Sequence, residues 1–200
     1  MDVKTVERVW AEVEAWGPEV LVFDVGQVLV RWDPMRPYLD LLPDAAAREA
    51  FRGRVGLDAM NLEGDRGRLD EAVALWAARH PADAALIRAW RARWAEMFGP
   101  AIPEAAELMR RARAAGLTVA ALSNFAADTW ELAREGFPVL RVFDVEVISG
   151  REGVVKPEPE IYALMEARTG VSGRGLFFLD DRAENVAGAR ARGWGGLVWT

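Results

Sequence analysis

The chain has 200 residues, a formal net charge of −6 and a pI of about 5.0, and 52% of its residues are hydrophobic. This composition is typical of a globular protein with a sizeable core, and the acidic balance argues against non-specific binding to nucleic acid or to anionic membranes. The absence of cysteine excludes disulfides, thiolate metal sites and a cysteine nucleophile. The sequence contains no run of about 18 apolar residues, the length that would span a bilayer.

The first residues predict an amphipathic helix. They lack the basic region and the apolar centre of a secretion signal, so the cytoplasm is the expected compartment. Apolar residues recur there at helical spacing, at Val3, Val6, Val9, Trp10, Val13 and Trp16.

The next part of the chain predicts one strand followed by helices. Residues 20–25 form a short apolar run that is typical of a buried strand. From residue 34 to about residue 98, apolar residues recur three and four positions apart, as in 69–80 and 83–98. This spacing is typical of amphipathic helices, and the Gly-Pro pair at 99–100 is expected to break the chain there.

The second half of the sequence alternates strands and helices. This order predicts a three-layer, Rossmann-like α/β core with a mainly parallel sheet and helices on both faces. We expect residues 1–31 and 101–200 to form this core. Residues 32–100, called the cap below, are expected to form a helical domain above the carboxyl edge of the sheet, where such sheets bind ligands. The predicted strands of this half are 117–123, 142–149, 175–181 and 196–199.

Polar residues end three of the predicted strands, and a lysine precedes one of the helices. The carboxyl ends of parallel strands meet at one edge of a sheet, so these side chains should converge. Crowded carboxylates raise each other's pKa values unless positive charge lies among them, and the lysine together with a hard cation such as Mg²⁺ would supply that charge. The residues concerned are Asp24, Ser123, Asn124, Lys156, Asp180 and Asp181.

This set of residues has a defined chemistry in phosphoryl transfer. Asp24 can attack a phosphoryl group in line while Ser123 donates a hydrogen bond to a phosphate oxygen. Lys156 and Mg²⁺ can neutralise the negative charge that develops in the transition state.

Four short stretches carry these residues, and their kind and order resemble the motifs of the haloacid dehalogenase (HAD) superfamily. The resemblance is to subfamily I, which has a helical cap inserted after the first strand. It covers nearly the whole chain beyond the N-terminal helix. The stretches are VFDVGQVLV with Asp24, AALSNF with Ser123 and Asn124, VVKPEPEIY with Lys156, and FLDDRAENV with Asp180, Asp181 and Asn185.

The resemblance implies further roles. The metal would be held by Asp24, by the backbone carbonyl of Gly26 and by Asp181. Ser123, Asn124 and Lys156 would bind the substrate phosphate, with Asp24, Ser123 and Lys156 as the catalytic residues, and Asp180 and Asn185 would support the site. Residues 26–32 would form a helical turn and a flap. The partner would be a small phosphorylated metabolite, with neither nucleic acid nor membrane, and the protein would be a monomer or a homodimer.

Gly26 departs from the usual pattern. Phosphatases of the family usually carry a second aspartate at this position, which acts as the general acid. Its absence is compatible with a phosphate whose leaving group needs little protonation, such as an anomeric or acyl phosphate. It is also compatible with another acid, for example Asp33, Glu63 or Asp65, or with a weak or inactive relative. The stretch FDVGQVLVRWDP is most similar to the sugar-1-phosphate phosphatase group.

Two other functions remain open at this point. A metal-independent 2-haloacid dehalogenase would use the same nucleophile on a carbon–halogen bond, but the acidic pair Asp180-Asp181 argues for a metal and against that reaction. A non-catalytic binding protein with a degenerate site would also explain Gly26. The favoured function is a Mg²⁺-dependent phosphatase that forms an aspartyl-phosphate.

Overall fold

A five-stranded sheet forms the centre of the molecule, whose computed structural model describes residues 3–200, with side chains from Thr5 onward. The strands are β1 (Val20–Phe23), β2 (Val30–Trp32), β3 (Phe98–Ala101), β4 (Thr118–Ser123), β5 (Val145–Ile148), β6 (Leu176–Asp180) and β7 (Gly195–Val198). In the central sheet the order is β5-β4-β1-β6-β7 and every neighbouring pair is parallel. The predicted parallel sheet is confirmed, and β1 lies in its middle.

Helices surround this sheet and fill the segment between β2 and β3. None of the helices in the described part of the chain combines the length and the apolar character needed to cross a bilayer. The helices are α1 (Val3–Trp16), α2 (Ala45–Val55), α3 (Leu57–Asp65), α4 (Leu69–Arg79), α5 (Ala84–Ala92), α6 (Pro103–Ala114), α7 (Ala127–Gly136), α8 (Ser149–Glu152), α9 (Pro159–Thr169) and α10 (Ala183–Ala191).

Both faces of the central sheet are covered, which explains why its strands are continuous apolar runs. Successive side chains of a strand point to opposite faces. Leu21 and Phe23 therefore pack in a cluster with α1 and α6, whereas Val20 and Val22 pack in a second cluster with α9 and α10. The predicted three-layer α/β fold is confirmed.

The predicted N-terminal helix is confirmed as α1. Val6, Val9 and Val13 are buried in the same cluster as α6, as their helical spacing indicated. An ion pair between Glu7 and Arg111 joins the exposed sides of α1 and α6, with 2.6 Å between Glu7 Oε1 and Arg111 Nη2. The side chain of Val3 lies outside the described side chains.

A tight turn follows β1 and leads into a small antiparallel sheet. The backbone N–H groups of Leu29 and Val30 donate to the carbonyl of Val25 at 2.9 and 3.1 Å, which makes a single helical turn. The chain then enters β2, which pairs with β3. The two ends of the segment between β2 and β3 are therefore held side by side.

The helical pattern over 83–98 is confirmed only in part, and the break expected at 99–100 lies within a strand. Helix α5 ends at Ala92, a 3₁₀ turn covers Trp94–Met97, and residues 98–101 form β3. Gly99 permits this pairing because it has no side chain. A Cβ atom there would lie only 2.8 Å from Cβ of Arg31 on β2, which is too close for two carbon atoms. Pairing with a distant strand thus overrides the local signal of glycine and proline.

The strand predicted over 142–149 is also shorter than expected. A 3₁₀ turn occupies Pro138–Arg141, and β5 covers only Val145–Ile148. The carboxylate of Asp144 accepts a hydrogen bond from the N–H of Val119 at 2.9 Å, so a side chain bonds the neighbouring strand just before β5 begins. Ser149 already belongs to α8.

Residues 65–70, called the cap turn below, run from the last residue of α3 into the first turn of α4 and contact the central α/β layers directly. The N–H of Ala127 at the start of α7 donates to the carbonyl of Gly67 at 2.9 Å. The carboxylate of Asp128 accepts from the N–H groups of Leu69 and Asp70 at 3.0 and 3.1 Å. The division into core residues 1–31 and 101–200 and cap residues 32–100 stays a prediction.

Close backbone packing around Gly150 predicts that this position accepts no larger residue. A Cβ atom there would lie 2.3 Å from the nitrogen of Ala127, 2.6 Å from the carbonyl oxygen of Gly67 and 2.8 Å from that of Phe125. We expect Gly150→Ala to lower the free energy of unfolding in urea by about 1–3 kcal/mol, as overpacking does. Gly136→Ala is the matched control.

Gly136 ends α7 and has nothing within 4 Å of a built Cβ atom. Its replacement by alanine should leave stability within about 1 kcal/mol of the wild type, with any change favourable. If Gly150→Ala and Gly136→Ala were equally stable, the close backbone contacts around Gly150 would not limit the size of the residue at that position.

Candidate active site

Two adjacent strands bring an acid and a hydroxyl together at the carboxyl edge of the sheet. Asp24 directly follows β1, and its N–H donates to the carbonyl of Leu179 on β6 at 2.9 Å. Ser123 is the last residue of β4, the other neighbour of β1. The Ser123 hydroxyl donates to Oδ1 of Asp24 at 2.7 Å, and both side chains are buried.

A buried lysine completes this group. Nζ of Lys156 lies 2.8 Å from Oδ1 of Asp24 and 2.6 Å from Oδ2 of Asp180. The residue is only 3% exposed. A buried ammonium group is tolerated only when it is paired, and here two carboxylates from the neighbouring strands β1 and β6 provide the pairing.

Asn124 holds the backbone of Lys156 in place. Its side-chain Nδ2 donates to the carbonyl of Lys156 at 3.1 Å, and its Oδ1 accepts from the N–H of Lys156 at 2.7 Å. The side-chain amide therefore binds the peptide groups of one residue as a neighbouring strand would. These two hydrogen bonds join the loop after β4 to the loop before α9.

Asp180 is fully buried and has several donors around its carboxylate. Besides the ammonium of Lys156, it accepts from the N–H of Arg182 at 2.8 Å and from Nδ2 of Asn185 at 3.0 and 3.1 Å. These bonds fix the carboxylate and let it orient Lys156. The structure therefore brings Asn185 to the site through Asp180.

Three carboxylates of this edge form a group that could hold a metal ion. One oxygen each of Asp24, Asp180 and Asp181 can be chosen so that all lie within 4.8 Å of one another. Hard cations such as Mg²⁺ prefer carboxylate oxygens, so the donor set fits such an ion. Burial, together with the charges of Asp24 and Asp180, raises the pKa of Asp181 to about 6.

Burial and charge act in opposite directions on the central pair. Burial raises the pKa of Asp24 above its usual value, although the ammonium of Lys156 opposes the rise. Burial alone would lower the pKa of Lys156, but the carboxylates of Asp180 and Asp24 raise it. Lys156 is therefore held in its charged form.

The three acids considered as replacements for an acid at position 26 lie in different surroundings. Glu63 is exposed on α3. Asp33 is also exposed, and its Oδ1 accepts from the N–H of Met35 in a local turn at 2.9 Å. Asp65, the last residue of α3, is buried, and the charge of Asp24 acts on its carboxyl group. Of these three acids, only Asp65 is buried.

Sequence reasoning missed Ser149, which ends the apolar stretch VEVIS. Its hydroxyl accepts from the N–H of Phe125 at 2.8 Å and donates to the carbonyl of Asp65 at 2.5 Å. Ser149 thereby links the loop after β4 to the cap turn. A polar residue directly after a buried strand was the available signal, as it was for Asp24 and Ser123.

Two curated relatives match about half of the chain. A sesquiterpene phosphatase of Aspergillus oryzae is 32% identical over 93 residues, which are 46% of this chain and 47% of the relative. A phosphoserine phosphatase of Thermus thermophilus is 30% identical over 95 residues, 47% of this chain and 38% of the relative. The chain thus spans less than half the length of these curated relatives.

Solved structures match over nearly the whole chain. An enzyme of the HAD family from Bacteroides thetaiotaomicron, an aspartate-to-alanine variant with magnesium and inorganic phosphate, is 20% identical with a TM-score of 0.70, covering 92% of this chain and 95% of its own. The L-2-haloacid dehalogenase of Xanthobacter autotrophicus is 23% identical with a TM-score of 0.61, covering 90% and 76%. At these levels of sequence identity, the similarities show a shared fold.

A family model spans almost the entire sequence. The model describes hydrolases of the haloacid dehalogenase-like type and matches residues 6–193. This range contains four of the five strands of the central sheet, with β7 just beyond it, and every residue of the site described above. The chain belongs to the haloacid dehalogenase-like hydrolases.

Proposed function

We propose that this hydrolase is a Mg²⁺-dependent phosphatase that cleaves a small phosphorylated metabolite through an aspartyl-phosphate. One observation carries the proposal: the carboxylate of Asp24 lies in contact with both Ser123 and Lys156 beside further carboxylates at the sheet edge. A nucleophile, a hydroxyl donor and a fixed cation are the groups that phosphoryl transfer to a carboxylate needs.

In this proposal Asp24 attacks the phosphorus atom in line with the leaving oxygen. Oδ1 of Asp24 accepts from Ser123 and Lys156, so its other oxygen is the candidate nucleophile. Ser123, with Asn124 beside it, would bind the phosphate, and Lys156 would offset charge that builds up on the phosphate oxygens. Since Asp180 fixes the ammonium of Lys156 beforehand, little reorganisation is needed when the substrate arrives.

The metal ligands proposed are Asp24, the backbone carbonyl of Gly26 and Asp181, with Asp180 and Asn185 in support. Mg²⁺ bound there would orient the phosphate and offset its negative charge. The three carboxylates near one another, and the raised pKa of Asp181, support a cation at this place.

The two curated relatives support phosphate esters as the substrate class, because both are named as phosphatases. Within the family, the proposed placement is subfamily I, near the sugar-1-phosphate phosphatases, and it rests on glycine at position 26 and on the helices between β2 and β3. The substrate would lie between the sheet edge and the cap, and the cap residues would determine which substrate binds. A monomer or homodimer is proposed.

The nucleophile is tested by phosphate release from aryl, sugar-1-, sugar-6- and acyl phosphates. We expect Mg²⁺-dependent release that EDTA abolishes, and a loss of at least about 10³-fold in Asp24→Asn because the attacking group is removed. Asp33→Asn is the matched control, since Asp33 is exposed and, in the described contacts, its carboxylate accepts a hydrogen bond only from the N–H of Met35 in its own turn. This control should keep the wild-type rate.

Three results would contradict the proposal. Full activity of Asp24→Asn would exclude the aspartyl-phosphate. Turnover of a 2-haloacid in EDTA, without phosphate release, would favour a dehalogenase. Binding of phosphate or Mg²⁺ with no turnover on any ester would favour a non-catalytic binding protein.

The buried ammonium predicts a large effect on stability. Lys156→Met would leave Asp24 and Asp180 buried beside each other without their cation. We expect the free energy of unfolding at pH 7, in urea with EDTA, to fall by about 3–5 kcal/mol. Arg182→Met is the control, because this neighbouring cation is 64% exposed and pairs with Glu184 on the surface.

The control should cost less than about 1 kcal/mol, as exposed ion pairs do. Similar losses in the two variants would mean that the two carboxylates do not depend on Lys156 for their burial.

A further inference from the structure

Cleavage of a phosphate ester leaves a negative charge on the departing oxygen unless a proton reaches it. Proton transfer by a positioned side chain contributes about 10²–10⁴-fold in rate. Gly26, two residues after Asp24, has no side chain that could deliver this proton. The other groups around Asp24 are therefore the source to consider.

Asp65 lies where the cap turn meets the ends of β4 and β5. The backbone carbonyl of Asp65 accepts from Ser149 Oγ at 2.5 Å, and the carbonyl of Gly67 accepts from the N–H of Ala127 at 2.9 Å. Arg66 forms an ion pair with Glu158, which lies two residues after Lys156. These contacts fix the backbone on both sides of Asp65 against the loops that carry Ser123 and Lys156.

The Asp65 side chain is buried between the cap and the site. It is 9% exposed, and its Oδ2 accepts from Nδ2 of Asn61, one helical turn earlier, at 3.2 Å. The backbone N–H of Ala126, in the loop after β4, lowers the pKa of this carboxyl group. Contacts with neutral donors leave the carboxyl group able to carry a proton, in contrast to Asp180, which is bonded to an ammonium.

Burial, and after it the charges of the sheet edge, set the protonation of Asp65. Burial and the negative charge of Asp24 raise its pKa to about 7, while the charge of Lys156 and the backbone N–H of Ala126 oppose the rise. The charged groups that face it are thus Asp24 at the end of β1 and Lys156 before α9. An acid of this pKa can both give and accept a proton near neutral pH.

The other carboxyl groups of the region are less suited to this role. Glu63 and Asp33 are exposed. Asp180 is saturated by Lys156, Arg182 and Asn185. Asp181 belongs to the group proposed to hold Mg²⁺.

We propose that Asp65 is the general acid and base of the reaction, in place of a side chain at position 26. This inference rests on the proposed phosphatase function. As Asp24 forms its bond to phosphorus, the bond from phosphorus to the leaving oxygen breaks and the carboxyl proton of Asp65 passes to that oxygen. The Asp65 carboxylate then accepts a proton from the water that attacks phosphorus, which releases phosphate and restores both Asp24 and Asp65.

The test compares two esters whose leaving groups differ in basicity. Glycerol 2-phosphate releases a strongly basic alkoxide, whereas p-nitrophenyl phosphate releases a weakly basic phenolate that needs little protonation. We expect Asp65→Asn to lower kcat/KM at least about 10²-fold for glycerol 2-phosphate and less than about 10-fold for p-nitrophenyl phosphate. Glu63→Gln, an exposed acid on the same helix, is the matched control and should change neither value.

A pH profile and two further variants sharpen the test. For glycerol 2-phosphate, kcat/KM of the wild type should fall as pH rises and Asp65 loses its proton, and this limb should vanish in Asp65→Asn. Adding Gly26→Asp to Asp65→Asn should restore at least part of the lost rate. Position 26 has room for that side chain, since nothing lies within 4 Å of a built Cβ atom.

The double variant Asn61→Asp/Asp65→Asn swaps the two side chains. It therefore keeps the net charge and allows the same hydrogen bond between the two positions. It should lose the same activity as the single variant, and it replaces that variant if Asp65→Asn does not fold. Equal losses on both esters, or no loss on either, would overturn the role of Asp65. A wild type that releases no phosphate from either ester with Mg²⁺ would instead overturn the proposed function, and this inference with it.

Discussion

The buried ammonium group of Lys156 is the interaction on which the rest of the site depends. It lies 2.8 Å from the carboxylate of Asp24, directly after β1, and 2.6 Å from that of Asp180, the last residue of β6. Without it, neighbouring strands of the central sheet would end in buried acids that repel one another. Apart from Lys4 it is the only lysine in a chain whose other cations are mainly arginines, and its compact, strongly hydrated charge differs from that of a guanidinium.

The surrounding contacts act mainly to hold this charge in place. Asn124 binds the backbone of Lys156 from the loop after β4, and Asn185 binds the Asp180 carboxylate from α10. Each strand end therefore constrains another, so the nucleophile proposed at Asp24 is positioned before any substrate arrives. The cap turn is tied to the same loops through Ser149, which couples the position of Asp65 to that of Ser123 and Lys156.

The sequence predicted the central layers and the edge where the site lies, because strands that are buried on both faces must be continuous apolar runs and parallel strands end at one edge. Asp24, Ser123, Lys156 and Asp180 could be named on that basis. Strand β3 could not, since FGPA has the composition of a turn and becomes a strand only by pairing with β2. The difference between Glu63 and Asp65 was equally invisible, because it depends on how the end of α3 packs against the loops after β4 and β5.

In the proposed reaction Asp24 is the phosphoryl acceptor, and Ser123 and Lys156 bind the phosphoryl group that it accepts. A crystal structure with Mg²⁺ and beryllium fluoride, which mimics a phosphoryl group on a carboxylate, tests this directly. We expect beryllium bonded to a carboxylate oxygen of Asp24, with the Ser123 hydroxyl and Lys156 Nζ within hydrogen-bond distance of its fluorides. Beryllium fluoride bound to another residue, or absent while Mg²⁺ is present, would contradict it.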